Sequence, residues 1–207
     1  MSAAEADPET IATLRIELMD TDPVIWREVE VPTSITLKGL HDVVQAAMGW
    51  FDQHLWEVRQ GRQCYGQPVP GEDDWREPKM IRADKVRLEE ILGPRKTTLE
   101  YTYDFGDSWD HKLTFTKVRP GDAGLAYPRY VAGERAAPPE DCGGVPGFYA
   151  ALDALADPEH PEHQEIADWF DGYDPDAFDD LPLKLAVGRI ASRRRAVKKP
   201  GPKPSKT

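Results

Sequence analysis

The sequence predicts an α+β fold organised on a central β-hairpin, and three observations carry that prediction. From Thr98 to Thr116 the residues alternate, with Leu99, Tyr101, Tyr103 and Phe105 on one side and, after a turn, Trp109, His111, Leu113 and Phe115 continuing the pattern. Between Leu37 and Met48 the apolar residues Leu37, Leu40, Val44, Ala47 and Met48 fall on one helical stripe. Strand-like segments crowd the first third of the chain, and the last third is helical with polar turns.

In order, Thr10–Met19 alternates as a first strand, and Asp20-Thr21-Asp22-Pro23 turns the chain. Val24–Val31 is a second strand, with Val24 and Trp26 on one face and Pro32 as its end. Thr36 suits a helix N-cap and Gly49 a C-terminal stop. A third strand runs from His54 to Arg59, Gly61 turns it, and Cys64-Tyr65 starts a return. Residues 66–79 read as a loop, and Leu88, Ile91 and Leu92 as a short helical turn.

The hairpin follows, with Gly106-Asp107-Ser108 as its tip, since Gly permits positive φ and Asp and Ser bond their own backbone. Residues 119–147 are rich in Pro and Gly and read as an irregular excursion. Pro146 suits the first turn of a helix running to about Ala156. A second helix covers about Glu162–Phe170, and a last one about Leu181–Arg195 with Leu185 and Ile190 inward. The organisation is a disordered N-terminus (1–9), one domain (10–190) and a basic flexible tail (191–207).

The charge is unevenly placed. Net charge is −11, yet residues 189–207 hold eight Lys/Arg and no acid, which leaves 18 bases against 37 acids before them. An acidic body repels phosphate backbones, so nucleic-acid contact is confined to the tail, through Arg193, Arg194, Arg195, Lys198 and Lys199. No apolar run can span a bilayer, and the acidic N-terminus is not a signal peptide. Two cysteines, Cys64 and Cys142, do not make a disulfide framework, and a reducing cytoplasm is expected.

Two motifs carry candidate chemistry. At the hairpin tip, Asp104, Asp107, Asp110 and His111 crowd together. Asp107 and His111 are candidates for acid–base catalysis, and with His54 for binding a divalent metal, since carboxylate plus imidazole suits Zn, Mn or Fe. Strand parity opposes a single cluster: it turns Asp104 away from His111 and leaves Asp107 to the turn. In the second motif, Pro138–Gly144 (PPEDCGG), Cys142 could serve as nucleophile or ligand, but Glu140 and Asp141 beside it raise a thiol pKa. If this loop approaches the hairpin tip, His54, Asp104, Asp107, Trp109, His111, Glu140, Asp141 and Cys142 share one acidic pocket. That pocket favours a cation, an amine or a basic peptide.

Four stretches, PVIWREVEVP (23–32), LHDVVQAAMGWFDQHLWEV (40–58), YTYDFGDSWDHKL (101–113) and PPEDCGGVPGFYAAL (138–152), resemble the plasmid pRiA4b Orf-three-like family, also met as insertion-element passenger proteins labelled TnpR. The resemblance covers roughly residues 10–190; family members more often have Glu where Asp110 stands, and the basic tail lies outside the pattern. It implies a mixed or mostly antiparallel sheet with helices packed on it, and no settled activity. Resolvase chemistry would need a nucleophilic Ser supported by arginines, and the Arg193–Arg195 cluster sits in the tail. The expected function is a cytoplasmic binding or adaptor module associated with plasmids and transposable elements, with an unidentified protein or cationic ligand as partner. The alternatives are a metal-dependent hydrolase using Asp107 and His111, and a DNA-associated accessory protein acting through the tail.

Overall fold

Eight strands hydrogen-bond into one sheet in the order β5-β4-β3-β6-β7-β1-β2-β8, as seen in a computed structural model that describes residues 8–69, 71 and 77–198. The strands are β1 (Thr10–Leu18), β2 (Trp26–Pro32), β3 (Trp56–Gln60), β4 (Gln63–Gly66), β5 (Ile81–Arg82), β6 (Thr97–Tyr103), β7 (Trp109–Pro120) and β8 (Arg129–Glu134). The helices are α1 (Leu37–Met48), α2 (Leu88–Ile91), α3 (Gly144–Ala156), α4 (His163–Phe170) and α5 (Leu181–Lys198). Neighbouring strands pair antiparallel except the short β4–β5 pair, so the sheet is mixed but mostly antiparallel, and the fold is α+β.

Period-two patterning gives the sheet one dry face and one wet face. Ala12, Leu14, Ile16, Val29, Leu99, Tyr101, Tyr103, Trp109 and Leu113 are buried on the helix-covered side. On the open side Arg15, Glu17 and Lys112 form ion pairs, and Thr102 bonds Asp110. Helix α1 is built as its sequence predicts. The Thr36 side chain accepts the Gly39 N–H, and Gly49 ends the helix at φ +85°. Its apolar stripe enters the single core, with α5 packed beside it.

Arg27 enters that core as a fully buried charge. Its Nε donates to Ala47 C=O at the end of α1, and one Nη donates to the Trp26 and Glu134 carbonyls of β2 and β8. The guanidinium lies 4.4 Å from the Phe178 ring centroid. Burial lowers its pKa to about 10, which still leaves it charged at neutral pH.

Several expectations change. Strand β3 begins at Trp56, which leaves His54 in the preceding loop. Alternation in the hairpin stops at Tyr103: Asp104 takes φ +56°, becomes buried, and turns Phe105 outward to 47% exposure. The irregular excursion contains β8, which pairs with β2. In α5 the buried residues are Val187 and Ala191, whereas Leu185 is exposed.

Helix α5 also continues to Lys198, so residues 191–198 are helical rather than a flexible tail. At the other end Glu9 is tied down: its C=O accepts the Gly121 N–H and its carboxylate meets Arg194 and Ser34. The other residues expected to be disordered or flexible, 1–7 and 199–207, lie outside the described residues.

Candidate functional site

Three segments converge at one end of the hairpin: the loop after α1 (residues 50–55), the tip between β6 and β7 (104–108), and the loop leading into α3 (138–144). Each junction is made by backbone polar groups that find partners on another segment. Asp104 N–H donates to Leu55 C=O at 2.8 Å, and Ser108 N–H closes the tip on Asp104 C=O at 2.6 Å. Trp50 Nε1–H donates to Pro138 C=O at 2.9 Å. Gly143 N–H donates to Asp107 Oδ2 at 3.0 Å.

Glu140 ties its own loop to the loop after α1 and to the end of β6. One carboxylate oxygen accepts the Phe51 N–H at 2.9 Å and the other accepts the Tyr103 hydroxyl at 2.5 Å. The Tyr103 oxygen in turn accepts the Gln53 N–H at 2.9 Å. Burial, followed by that bond to Glu140, drives the Tyr103 hydroxyl far above its ordinary pKa. Both oxygens of Glu140 are therefore spent on architecture.

Asp104 and Asp141 both turn a carboxylate oxygen to His54. Asp104 Oδ1 accepts the Gly106 N–H at 2.9 Å, which fixes the carboxylate and leaves Oδ2 facing His54, 3.6 Å from its Nε2. Asp141 Oδ1 lies 2.8 Å from the same nitrogen. Ligand-type atoms of His54, Asp104 and Asp141 all lie within 4.8 Å of one another. Both aspartates have left-handed backbone, φ +56° and +60°, a state that Asp tolerates better than most residues and that often marks functional loops. The neighbouring residues Phe51, Leu55 and Phe105 are exposed, Phe51 to 78%.

The other candidates are placed differently. Trp109 is core. His111 is also core. Its Nδ1 lies 2.9 Å from Trp109 C=O, which requires a proton on Nδ1 and leaves Nε2 as an unpartnered buried lone pair among the described residues. Burial lowers its pKa to about 4. The parity argument gave His111 the correct face but not its depth. His111 and Asp107 therefore do not form an accessible acid–base pair: one is sealed in the core and the other holds the Gly143 amide.

Cys142 is buried, and burial first, then Asp107 and Asp141, pushes its thiol up to about 12, so it is not a thiolate nucleophile at neutral pH. In the basic segment, Arg194 pairs with Glu9, Arg195 donates to the Gly124 and Leu125 carbonyls, and Arg193 Nε bonds Arg189 C=O. Lys198 lies in the last turn of α5, and Lys199 is outside the described residues.

A second group, His41, Asp42 and Asp52, is already satisfied internally. His41 Nε2 lies 2.7 Å from Asp52 and Nδ1 lies 2.8 Å from the Tyr101 hydroxyl, while Lys38 Nζ holds Asp42 at 2.6 Å and Asp52 at 3.2 Å. Sequence inspection gave Asp52 no role. Its signal was weak: an Asp just past a helix stop, held at φ +56°.

Gly144 tests how tightly the tip and loop are joined. It sits at φ +66°, and a Cβ there would lie 2.2 Å from Asp107 C=O. Gly144→Ala is expected to cost roughly 2–3 kcal/mol, the sum of left-handed strain and the displaced contact. A urea unfolding midpoint unchanged from wild type would show that the junction yields to an added methyl group.

The model of the plasmid pRiA4b ORF-3-like protein family matches residues 10–181. The uncharacterised protein y4hQ of Sinorhizobium fredii (strain NBRC 101917 / NGR234) is 32% identical over 186 residues, which cover 89% of this chain and 94% of that protein. The crystal structure of a protein of unknown function, MM3350 from Methanosarcina mazei Go1, is similar with a TM-score of 0.75 and 34% identity, over 83% of this chain and 96% of that one.

Proposed function

The chain belongs to the plasmid pRiA4b ORF-3-like family, and from that footing we propose that it is a cytoplasmic, non-enzymatic binding module of mobile elements that receives a positively charged group at the junction of residues 50–55, 104–108 and 138–144. One observation carries the reading. Asp104 Oδ2 and Asp141 Oδ1 converge on the same imidazole, on a surface with Phe51, Leu55 and Phe105 exposed beside it. Carboxylates select a cation, and exposed aromatic and aliphatic side chains add area for a partner segment. The acidic body raises the local concentration of cationic partners before contact.

The pair expected from the sequence to do acid–base work is otherwise engaged, His111 in the core and Asp107 on the Gly143 amide, which supports a binding role over that catalytic one. Cys64 and Cys142 are thiols rather than a disulfide, which suits a reducing compartment. Among the described residues, no helix is long and apolar enough to cross a membrane.

Calorimetric titration of the full chain with a lysine hexapeptide and a glutamate hexapeptide tests the proposal. Saturable, salt-sensitive binding of the first alone is expected, weakened at least several-fold in Asp141→Asn. Equal binding of both peptides, or none by any cationic probe, would overturn it.

A further inference from the structure

We infer that His54 Nε2, Asp104 Oδ2 and Asp141 Oδ1 form a binding site for a divalent transition-metal ion of the zinc class. The inference rests on the reading above and gives its positive charge a chemical identity. Geometry comes first. Zn–ligand bonds of about 2.0–2.1 Å place tetrahedral ligand atoms roughly 3.3 Å apart. The 3.6 Å between His54 and Asp104 is close to that spacing. The 2.8 Å between His54 and Asp141 must open slightly, and the Asp141 side chain, 60% exposed, is free to move.

The second observation is independent of the acids. His54 Nε2 is shielded from solvent, yet makes no hydrogen bond of sound geometry among the described residues, despite a carboxylate 2.8 Å away. A metal ion accepts that lone pair directly. A lysine or arginine would find the carboxylates, but would meet the imidazole only as a weak acceptor.

Asp104 is held ready by the Gly106 N–H on its other oxygen, the kind of orienting contact that outer partners supply to metal ligands. Imidazole in the donor set favours Zn, Cu, Fe or Ni over Mg or Ca. Three protein donors leave a coordination position for a group from a partner. The competing cluster of His41, Asp42 and Asp52 is excluded because both of its imidazole nitrogens are engaged and Lys38 already neutralises its acids.

The test is calorimetric titration of chelator-stripped full-length protein with ZnCl₂, run in parallel on His54→Gln, Asp141→Asn and a surface control, His160→Gln. One ion per chain is expected, with affinity at least about tenfold weaker in each ligand variant and unchanged in the control. Circular dichroism on the same samples shows whether the variants keep the fold. Absence of saturable zinc binding, or affinity indifferent to both ligand substitutions, overturns the inference. The lysine hexapeptide separates the two levels: its binding without zinc binding removes the metal and leaves the cation-binding module standing. Failure of both ligands removes both.

Discussion

Arg27→Met is expected to destabilise the protein by roughly 3–4 kcal/mol, corresponding to a fall in melting temperature of about 10 °C for a chain of this size. The buried guanidinium has three main-chain acceptors on separate elements: Ala47 at the end of α1, Trp26 in β2 and Glu134 in β8. Methionine fills similar volume but donates nothing, so three carbonyls lose their donor. Each buried orphan costs on the order of 1–3 kcal/mol, and relief of the desolvated charge offsets part of the sum. The cation also sits at the negative end of the α1 dipole. Arg27→Lys should recover only part of the loss, because one ammonium cannot copy the planar fork. Urea unfolding at constant m-value measures it. A change below about 1 kcal/mol would show that the three carbonyls find other donors.

The second large effect is loss of stability in acid. Burial lowers the pKa of both His41 and His111 from 6.5 to about 4, and for His41 it outweighs the opposing pull of Asp52. The unfolded chain therefore binds these protons more readily than the folded one. Stability is fully present above pH 6.5 and declines as pH falls through the window to about 4. At about 1.4 kcal/mol per unit, each histidine contributes roughly 3 kcal/mol across that window. His111→Gln should remove about half of the slope of unfolding free energy against pH between 6.5 and 4, whatever it does to stability at neutral pH. A slope identical to wild type would mean that His111 is not buried as a neutral group.

What was legible in the sequence was local. Helix α1 could be read end to end because its cap, stripe and stop are all encoded within Thr36–Gly49. The hairpin strands were legible for the same reason, as far as Tyr103. There one left-handed residue, Asp104, reversed the inside–outside pattern, and a period-two template cannot represent positive φ. That reversal brought Asp104 toward His54 and turned Phe105 outward.

The missed strand β8 lies in a segment rich in Pro and Gly, and pairs with β2 about a hundred residues earlier, so nothing local announced it. In α5, parity of hydrophobic residues favoured Leu185, but the neighbours of the helix, α1 and β8, select Val187 and Ala191. The candidate site was legible as two motifs and one conditional, that the PPEDCGG loop approaches the tip. The Gly143–Asp107 and Glu140–Tyr103 bonds make that approach, while His111 and Trp109 stay in the core.

The most direct test of the account is amide chemical-shift mapping of ¹⁵N-labelled protein during addition of a saturating cation, zinc or the lysine hexapeptide. The largest shifts are expected on Phe51, His54, Gly106, Asp141 and Gly143. Shifts confined to α5, or spread evenly over the acidic surface with no maximum at this junction, would contradict it.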